Sequence, residues 1–518
     1  MAAKPPGSDT TAEDGGKQSP GITSGKTDQR LSDSEIADYS RAARSGFLWI
    51  FSTTALWQAF SWICTLATVH ILLPEDYGLV AMPDAVFPYL MMLTTLKLDT
   101  WLLQTDTFDL RKQESVLGLL VALGLISTLC GLVAAPVLAD FYHSPELKLV
   151  AQVMCLTFLP RALRLLPESR LRRELQFKQI AVSNLVIGVT RGVFQIVLAY
   201  AGFAYWALVL GAVYNEIALL VWLALAGGMP RRMRWEREYN REALEFGFSA
   251  TGSTIFWVIF STADNLVVGR LFGKAALGYY STAFLLTDLP LSKLNTVLAP
   301  VITPYYAKLR YNTEELCRVF LRVNRTVVGL VAPALLGLAV VAPSLVPLFF
   351  GEQWAPLVGP LQVMSIAGIL RCTTANVTSL LFSIGEPNLL LLCSAVPAAI
   401  MPFSYYFLGA HLGMPGIYFT WLVIYPLLGP LLLMLAVSKV TPIRAKEFLG
   451  NLSAPIVSVL VLALATVGFD FFVGDSLPPI AMLGAQIGIG VVAYLAALKA
   501  LFPSELDETL AMVRQLRS

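Results

Sequence analysis

The sequence predicts an all-α polytopic membrane protein with fourteen transmembrane helices, arranged as two six-helix lobes and two further C-terminal helices. Three observations lead to this fold class. Hydrophobic residues make up 56% of the 518 residues and charged residues only 14%, whereas soluble domains carry about 25% charged residues. Apolar runs of about 20 residues, long enough to cross a bilayer, recur along the chain. Basic residues are concentrated in alternate loops between these runs.

The apolar runs are continuous, which indicates helices, because the strands of a membrane barrel alternate apolar and polar residues over about ten positions. The predicted spans cover residues 46–73, 79–103, 116–139, 147–166, 180–200, 204–226, 244–271, 278–306, 324–348, 358–384, 388–410, 413–437, 450–473 and 478–502.

The charges in the loops predict the orientation. Basic residues precede span 1 and follow spans 2, 4, 6, 8, 12 and 14, with the densest cluster at residues 231–241. The opposite loops offer only Lys274 and, at a helix edge, Lys148. Since basic loops stay on the cytoplasmic side, both termini are expected in the cytoplasm, which requires an even number of spans.

The remaining segments complete the predicted domain organisation. Residues 1–33 are polar and lack an apolar stretch, so they are expected to form a disordered cytoplasmic tail. The other units are a first lobe with an interfacial helix and spans 1–6 (34–226), a basic cytoplasmic linker (227–243), a second lobe with spans 7–12 (244–437), spans 13–14 (438–502) and a cytoplasmic amphipathic helix (503–518).

An internal repeat supports the two lobes. Four short matches occur in the same order at a shared offset of about 200 residues: Tyr77-Gly78 with Leu277-Gly278, Ala135-Pro136 with Ala342-Pro343, Gln152-Val153-Met154 with Gln362-Val363-Met364, and Arg161 with Arg371. Six spans per repeat is an even number, so both lobes should have the same orientation. Their pseudo-twofold axis would then lie along the membrane normal, an arrangement suited to alternating access.

Charged side chains inside the spans are the candidate functional residues, because a charge at the bilayer centre costs at least about 2.5–3.5 kcal/mol. Such residues must face one another or a water-filled cavity. Interhelical salt bridges and snorkelling side chains are the competing structural interpretation. The candidates are Lys97 and Asp99 in span 2, Arg191 in span 5, Asp264 and Arg270 in span 7, Asp288 and Lys293 in span 8, and Arg371 in span 10.

Helical spacing limits how these charges pair. Asp288 and Lys293 lie five residues apart, about 140° around a helix, with Pro290 between them. Lys97 and Asp99 are two residues apart and point to different sides of a helix. Each is therefore expected to find its partner on another helix or in water.

Other charges in the spans have simpler explanations, among them Asp84, which lies close to the outer boundary of span 2. Arg161 and Arg164 lie near the cytoplasmic end of span 4, where anchoring at the membrane surface would explain them. Glu216 lies in the middle of span 6 with no obvious partner. A protonated structural carboxyl group there is as plausible as a functional one.

The sequence gives no sign of a metal site, a disulfide framework or a nucleotide site. Its six cysteines are scattered without a CxxC pair, and neither a bound cofactor nor a metal is expected. A GxxxxGK[ST] phosphate-binding loop does not occur.

Several motifs resemble one family. Ile71 to Ala81 read ILLPEDYGLVA, Arg170 to Phe177 read RLRRELQF, Gly202 to Val209 read GFAYWALV, and Ala263 to Leu271 read ADNLVVGRL. Together, over residues 44–450, they resemble polysaccharide transporters. These are Wzx-type and colanic-acid-exporter-like flippases of the multidrug/oligosaccharidyl-lipid/polysaccharide superfamily. The chain departs from the family at Asn265, where arginine is common, so an ion pair beside Asp264 does not carry over.

The resemblance implies translocation of an undecaprenyl-pyrophosphate-linked oligosaccharide from the cytoplasmic to the periplasmic leaflet of a bacterial inner membrane, for exopolysaccharide or O-antigen synthesis. Spans 1, 2, 7 and 8 would line the central cavity. Expected partners are this lipid-linked sugar, membrane lipids, and polysaccharide polymerase and export machinery, with no nucleic acid. The expected substrate-binding cations are Lys293, Arg191, Arg371, Arg270 and Lys97. The carboxylates expected to bind a coupling proton or sodium ion are Asp264, Asp288 and Asp99.

Other functions are open at this stage. A drug or small-solute cation antiporter of the same superfamily would have the same span pattern, and a scaffold without transport is a further alternative. A membrane glycan polymerase or ligase would handle the same lipid, but such enzymes usually have sizeable periplasmic loops. The outer loops here are short, such as Asp140 to Glu146 and Phe349 to Leu357. We therefore expect a transporter and not an enzyme.

Overall fold

The computed structural model describes residues 56, 58, 60–105, 108–252, 254–473 and 477–503. The expected N-terminal tail, the interfacial helix over residues 34–44 and all but the start of the C-terminal amphipathic helix lie outside these residues. The described chain is helical, as predicted, and its long apolar helices make it a multi-pass membrane protein.

Within the described residues, the first lobe contains nine α-helices and a 3-10 turn at Met82–Ala85. The region of the first two predicted spans is divided by short breaks, and the later spans are continuous. The helices are α1 (Phe60–Ile71), α2 (Pro74–Ala81), α3 (Phe87–Thr95), α4 (Leu98–Gln104), α5 (Leu110–Tyr142), α6 (Pro145–Cys155), α7 (Phe158–Arg173), α8 (Phe177–Tyr200) and α9 (Trp206–Gly227).

A short helix, α10 (Arg237–Gly252), begins inside the expected basic linker and precedes the long helices of the second lobe. The helices that follow, including the C-terminal pair, are α11 (Ile255–Leu309), α12 (Thr313–Phe350), α13 (Val358–Ile384), α14 (Pro387–Leu412), α15 (Met414–Phe419), α16 (Tyr425–Leu428), α17 (Pro430–Val440), α18 (Ala445–Asn451), α19 (Ser453–Val473) and α20 (Pro479–Leu501). A π-helical turn at Thr420–Ile424 joins α15 to α16.

Eleven helices in the described part are long and apolar enough to cross a membrane, or twelve if the bent pair Phe60–Ile71 and Pro74–Ala85 counts as one span. The expected number of fourteen is therefore not confirmed. One reason is α11, whose 55 residues are interrupted by non-helical backbone at Gly273. A straight helix of that length would measure about 80 Å, far more than the roughly 30 Å of hydrocarbon. Predicted span 8 and most of predicted span 7 lie within it, and the start of span 7 lies in the preceding helix, Arg237–Gly252.

The two lobes meet where α2 crosses α11. A Cβ atom on Gly78 would lie 1.7 Å from the Lys274 carbonyl oxygen, and one on Gly278 would lie 1.9 Å from the Pro74 carbonyl oxygen. These contacts are reciprocal between positions 200 residues apart, as expected for partners related by a twofold axis. The two glycines paired by the internal repeat therefore lie where the backbones of the lobes touch.

The same end of the molecule holds the largest apolar core, which contains buried residues of both lobes. Trp354 is fully buried there, and its indole Nε1 donates a hydrogen bond to the Val69 carbonyl oxygen at 3.2 Å. Lys274 forms ion pairs with Glu75 at 3.0 Å and Glu146 at 3.3 Å. The lobes are therefore joined by packing, hydrogen bonds and charge at this end.

Helix α10 is attached to the first lobe at the opposite end. Ser115 donates a hydrogen bond to Asn240 at 3.0 Å, and the Trp101 indole donates one to Glu242 at 3.3 Å. The buried Lys112 ammonium lies 4.7 Å from the centre of the Trp101 ring and pairs with Glu242 at 3.7 Å. These contacts hold the linker helix against the ends of spans 2 and 3.

Candidate functional site

The first lobe contains a cavity of about 700 Å³, bounded by α3, α4, α7, α8, α9 and the start of α11. Its walls combine apolar side chains such as Met91 and Trp257 with many charges. The charged residues that line it are Asp84, Lys97, Asp99, Arg161, Arg164, Glu168, Arg172, Arg191 and Glu216.

A carboxylate between two arginines lies in this cavity. Glu216 on α9 is buried, and its two carboxylate oxygens lie 3.3 Å from Arg161 and 3.4 Å from Arg164. The arginines are three residues apart on α7 and therefore occupy one helix face. The Arg164 Nε atom is buried without a hydrogen-bond partner in the described part of the chain. This group has unused donor capacity, which is unusual for a buried guanidinium.

Arg191 brings a further positive charge to the cavity from α8. Its side chain is half-buried, and among the described residues it forms no ion pair. A buried cation normally requires an opposite charge or water, because desolvation is costly. The cavity supplies the water-accessible space that this arginine requires.

A break in span 2 brings two more predicted site residues to the same cavity. Leu96 and Lys97 have left-handed backbone conformations, with φ of 40° and 52°, between α3 and α4. On an unbroken helix Lys97 and Asp99 would point to different sides. Because the chain changes direction at this break, the side chains of Lys97 and Asp99 both line the cavity.

The cavity has a small excess of positive charge. Five basic and four acidic side chains line it. Arg172 and Glu168 form a pair at 2.6 Å near the end of α7, so these two charges largely neutralise each other. Arg161 and Arg164 share the carboxylate of Glu216, and Lys97 and Arg191 also line the cavity, together with Asp84 and Asp99. This arrangement favours an anionic ligand with several oxygen acceptors.

The predicted coupling-ion residues Asp264 and Asp288 lie in the second lobe and do not line the cavity. Asp264 is 1% exposed and accepts a hydrogen bond from the Tyr280 hydroxyl at 2.8 Å. Tyr280 in turn accepts one from the Trp421 indole at 2.7 Å. Asp264, Tyr280 and Trp421 therefore form a buried chain that joins spans 7, 8 and 12.

Asp288 has a different partner, on span 10. Arg371 donates a hydrogen bond to it at 2.7 Å, and the same guanidinium lies 4.6 Å from the centre of the Phe284 ring. Asp288 thus pairs with another helix, as its five-residue separation from Lys293 predicts. Arg371, which we expected to bind substrate, is engaged in this interhelical pair.

Two predicted substrate-binding cations lie elsewhere. Lys293 is exposed on α11 and has no ion pair within the part of the chain that the structure describes. Arg270 lies 5.5 Å from the centre of the Phe141 ring and makes a cation–π contact there. Of the eight candidates, Lys97, Asp99 and Arg191 line the charged cavity, whereas Asp288 and Arg371 pair with each other in the second lobe.

Several residues of the cavity were not among the predicted site residues. Arg161 and Arg164 have the simpler interpretation of surface anchors, and Glu216 that of an isolated carboxyl group, yet the three form one cluster. The signal in the sequence is that all three are charges inside apolar runs. The lining also differs from the expected spans 1, 2, 7 and 8. It comes from spans 2, 4, 5 and 6 and from residues such as Trp257 in span 7.

Comparison with known proteins gives a consistent family. The chain is 24% identical to the lipopolysaccharide biosynthesis protein WzxC of Escherichia coli over 358 residues, which cover 65% of this chain and 69% of WzxC. It is 24% identical to the teichuronic acid biosynthesis protein TuaB of Bacillus subtilis, over 56% of this chain and 60% of TuaB. It is 25% identical to the succinoglycan biosynthesis transport protein ExoT of Rhizobium meliloti, over 59% of this chain and 62% of ExoT.

Two solved structures share the fold. The lipid II flippase MurJ in an inward closed conformation matches with a TM-score of 0.65 and 13% identity, over 87% of this chain and all of MurJ. An inward-facing multidrug resistance MATE family transporter of the MOP superfamily matches with a TM-score of 0.59 and 16% identity, over 74% of this chain and 96% of that one.

The family assignment comes from a model of polysaccharide biosynthesis proteins, which matches residues 69–359. This stretch is more than half of the chain and includes both the cavity and the contact between the lobes. The chain therefore belongs to the polysaccharide biosynthesis protein family.

Proposed function

We propose that the protein is a flippase that moves an undecaprenyl-diphosphate-linked oligosaccharide from the cytoplasmic to the periplasmic leaflet of a bacterial inner membrane. The observation that carries this proposal is the arginine cluster in the membrane-embedded cavity of the first lobe. Arg164 has an unused donor and Arg191 has no ion pair among the described residues. A polyanionic substrate that crosses the bilayer would accept a hydrogen bond from Arg164 and balance the charge of Arg191.

The chemistry of a diphosphate fits this cluster. Its oxygens can accept several charge-assisted hydrogen bonds at once, and guanidinium groups donate such bonds in pairs. Glu216 holds Arg161 and Arg164 in place and offsets part of their charge. An intermediate net charge is useful in a transporter, because the anion must be released on the other side.

The relatives support the proposed class of substrate. WzxC, TuaB and ExoT are named for the biosynthesis of lipopolysaccharide, teichuronic acid and succinoglycan, and ExoT is called a transport protein. MurJ, which shares the fold, is described as a lipid II flippase. A drug antiporter, the alternative suggested by the MATE likeness, would handle cations. The excess of basic side chains in the cavity disfavours a cationic substrate.

Alternating access follows from the two ends of the molecule. The lobes are joined around Gly78 and Gly278, and the cavity extends toward the other end, where Glu168 and Arg172 lie on α7. With the orientation predicted from the loop charges, the cavity faces the cytoplasm and the joined end faces the periplasm. A membrane potential that is negative inside favours outward anion movement by about 2.3 kcal/mol per charge per 100 mV.

This orientation can be tested with truncations fused to a reporter. A reporter after Arg234 should read as cytoplasmic, and one after Ser144 as periplasmic. The opposite result at either position would overturn the orientation and therefore the direction of transport.

The second lobe is the proposed place of ion coupling. Asp264 is a fully buried carboxyl group whose described partners include the Tyr280 hydroxyl and the Asn265 backbone N–H. Protonation or sodium binding at such a carboxylate changes the charge of a core that packs against the other lobe. Asp288 already has Arg371 as a counter-charge, which makes it the weaker candidate.

The function is tested by reconstituting the purified protein into vesicles with a lipid-linked oligosaccharide and measuring transfer between leaflets. We expect transfer by the unaltered protein and a strong loss in Arg164→Gln. The matched control is Arg241→Gln, because Arg241 is exposed on α10 and pairs only locally with Glu245. Absence of transfer by the unaltered protein, or normal transfer by Arg164→Gln, would contradict the proposal.

A further inference from the structure

A second cavity lies beside the charged one. It is an apolar groove of about 870 Å³ between α8 and α9, within the size range of small-molecule sites. Side chains from both helices form its walls, among them Ile187, Phe194, Ile217, Val221 and Leu225. Ile217, Val221 and Leu225 are exposed. In a membrane this groove opens toward lipid and not toward water.

Helix α9 separates the groove from the charged cavity. Tyr214, Ile217 and Val221 line the groove, whereas Asn215 and Glu216 line the cavity. The groove-lining and the cavity-lining residues occupy opposite faces of α9, since successive residues are rotated by about 100° about the helix axis. The groove and the cavity are therefore only one helix apart.

The apolar groove and the charged cavity are nearest each other at Arg191 on α8. Ile187, Arg191 and Phe194 have spacings of four and three residues, so they share one face of α8. The two apolar residues line the groove, whereas Arg191 lines the charged cavity. A ligand with an anionic group near Arg191 could thus extend an apolar portion directly along the groove.

The groove runs along the helices for a substantial distance. Its lining on α9 extends from Leu210 to Ala226, a rise of about 24 Å over sixteen residues. The length of the groove is therefore more than half of the roughly 30 Å thickness of the hydrocarbon layer. Its wall is braced near Tyr214, whose hydroxyl donates to Thr190 at 2.9 Å and whose ring lies 5.3 Å from that of Phe194.

We propose that this groove binds the polyprenyl chain of the lipid-linked sugar while the diphosphate lies at Arg191 in the cavity. The inference rests on the proposed function and assigns the substrate's apolar part to a specific place. Ile187 and Phe194 of the groove share one face of α8 with Arg191 of the cavity, which favours a lipid whose anionic group enters the cavity. A phospholipid of the bilayer is the competing occupant, and the experiment distinguishes the two.

The first measurement uses Ala218→Trp, which places a large ring on the groove side of α9. The matched control is Ala399→Trp, at an exposed position of α14 in the other lobe. Leaflet transfer is measured with undecaprenyl-diphosphate oligosaccharide in vesicles. We expect Ala218→Trp to slow transfer about tenfold, the effect of losing contacts of about two buried CH₂ groups. The control should be unchanged. Equal rates for the two variants would overturn the assignment.

The second measurement identifies the occupant. A polyprenyl diphosphate with a photoreactive group on its chain is cross-linked to the unaltered protein, and the labelled peptides are mapped. We expect labels on α8 and α9 that excess unlabelled polyprenyl diphosphate removes and excess phosphatidylglycerol does not. Labels on other helices would show that the polyprenyl chain binds elsewhere, and equal competition by phosphatidylglycerol would show that ordinary membrane lipid fills the groove; either result would overturn the assignment. Since the unaltered protein's transfer is measured separately, failure of the proposed function is recognised independently.

Discussion

The two lobes share a repeated pattern but differ in what fills them. Arg161 and Arg371 are repeat-related positions, and each pairs with a carboxylate of its own lobe. In the first lobe Arg161 faces a cavity of about 700 Å³. In the second lobe Arg371 lies against the Phe284 ring, in a region that contains the buried Trp421.

The interiors of the two lobes are filled differently. Large aromatic side chains fill the core of the second lobe, where rings of Phe260, Tyr405 and Tyr425 lie 5.2–6.1 Å from that of Trp421. The corresponding part of the first lobe has room for a ligand and more than one charge. We infer that the first lobe binds substrate and that the second senses the coupling ion.

The largest expected effect is at the contact between the lobes. Gly78→Val would place its Cβ 1.7 Å from the Lys274 carbonyl oxygen, so the backbones must separate. We expect complete loss of transport with the protein still present in the membrane. Cysteines placed at Glu75 and Lys274, in a background without the native cysteines, should cross-link in the parent protein and much less in this variant.

The control for this contact is Gly488→Val on α20. A Cβ there meets no atom within 4 Å, so transport and cross-linking should be unchanged. Full transport by Gly78→Val would show that the lobes can close without this close approach of the backbones.

The second prediction compares cations of the two lobes. Arg191→Met should reduce transport about 100-fold, because it removes charge-assisted bonds worth about 3 kcal/mol to the diphosphate. Lys293→Met should have a smaller effect, about tenfold, because Lys293 is exposed on α11 and does not line the charged cavity. Lys293→Arg should restore much of the loss because it keeps the charge. Leaflet transfer and membrane abundance are measured for all three variants. Normal transport by Lys293→Met would remove this lysine from the pathway.

The third prediction concerns coupling. Asp264→Asn keeps the size of the side chain and an acceptor for Tyr280, but it cannot exchange a proton. Stimulation of transport by an imposed proton or sodium gradient should be lost, with binding of the lipid-linked sugar unchanged. Asp140→Asn, at an exposed position, is the control. A gradient response that persists in Asp264→Asn would place coupling elsewhere.

The smallest expected effects concern stability. Asp288→Leu leaves Arg371 without its counter-charge and should lower the free energy of unfolding by about 2 kcal/mol. This is less than for a fully buried pair, because both side chains are partly exposed. Adding Arg371→Met should recover most of the loss. Denaturant unfolding in detergent measures both variants.

The corresponding substitution in the first lobe, Glu216→Leu, shows whether both lobes depend equally on their ion pairs for stability. Glu216→Leu frees Arg161 and Arg164, but both line the cavity and can be hydrated. The destabilisation should be smaller, about 1 kcal/mol. A larger loss for Glu216→Leu than for Asp288→Leu would mean that the first lobe also depends on its charge pairs for stability.

The sequence alone determined that this protein is a helical membrane protein with two related lobes. Hydropathy is a property of each segment by itself, so it can be read without knowing which helices pack together. Each predicted apolar run from residue 79 to 502 overlaps helices of the structure. The repeated Tyr77-Gly78 and Leu277-Gly278 turns were also visible, because the backbones can approach only where a side chain is missing.

Only the tertiary structure decided which charges meet. Arg161 and Glu216 are 55 residues apart, and Arg371 and Asp288 are 83 apart. Their pairing depends on how each helix is rotated about its axis and where it lies in the bundle. Apolar composition encodes neither, because most faces of a membrane helix are equally apolar. The break at Lys97, the cavity in one lobe and the aromatic core in the other therefore follow from packing between helices.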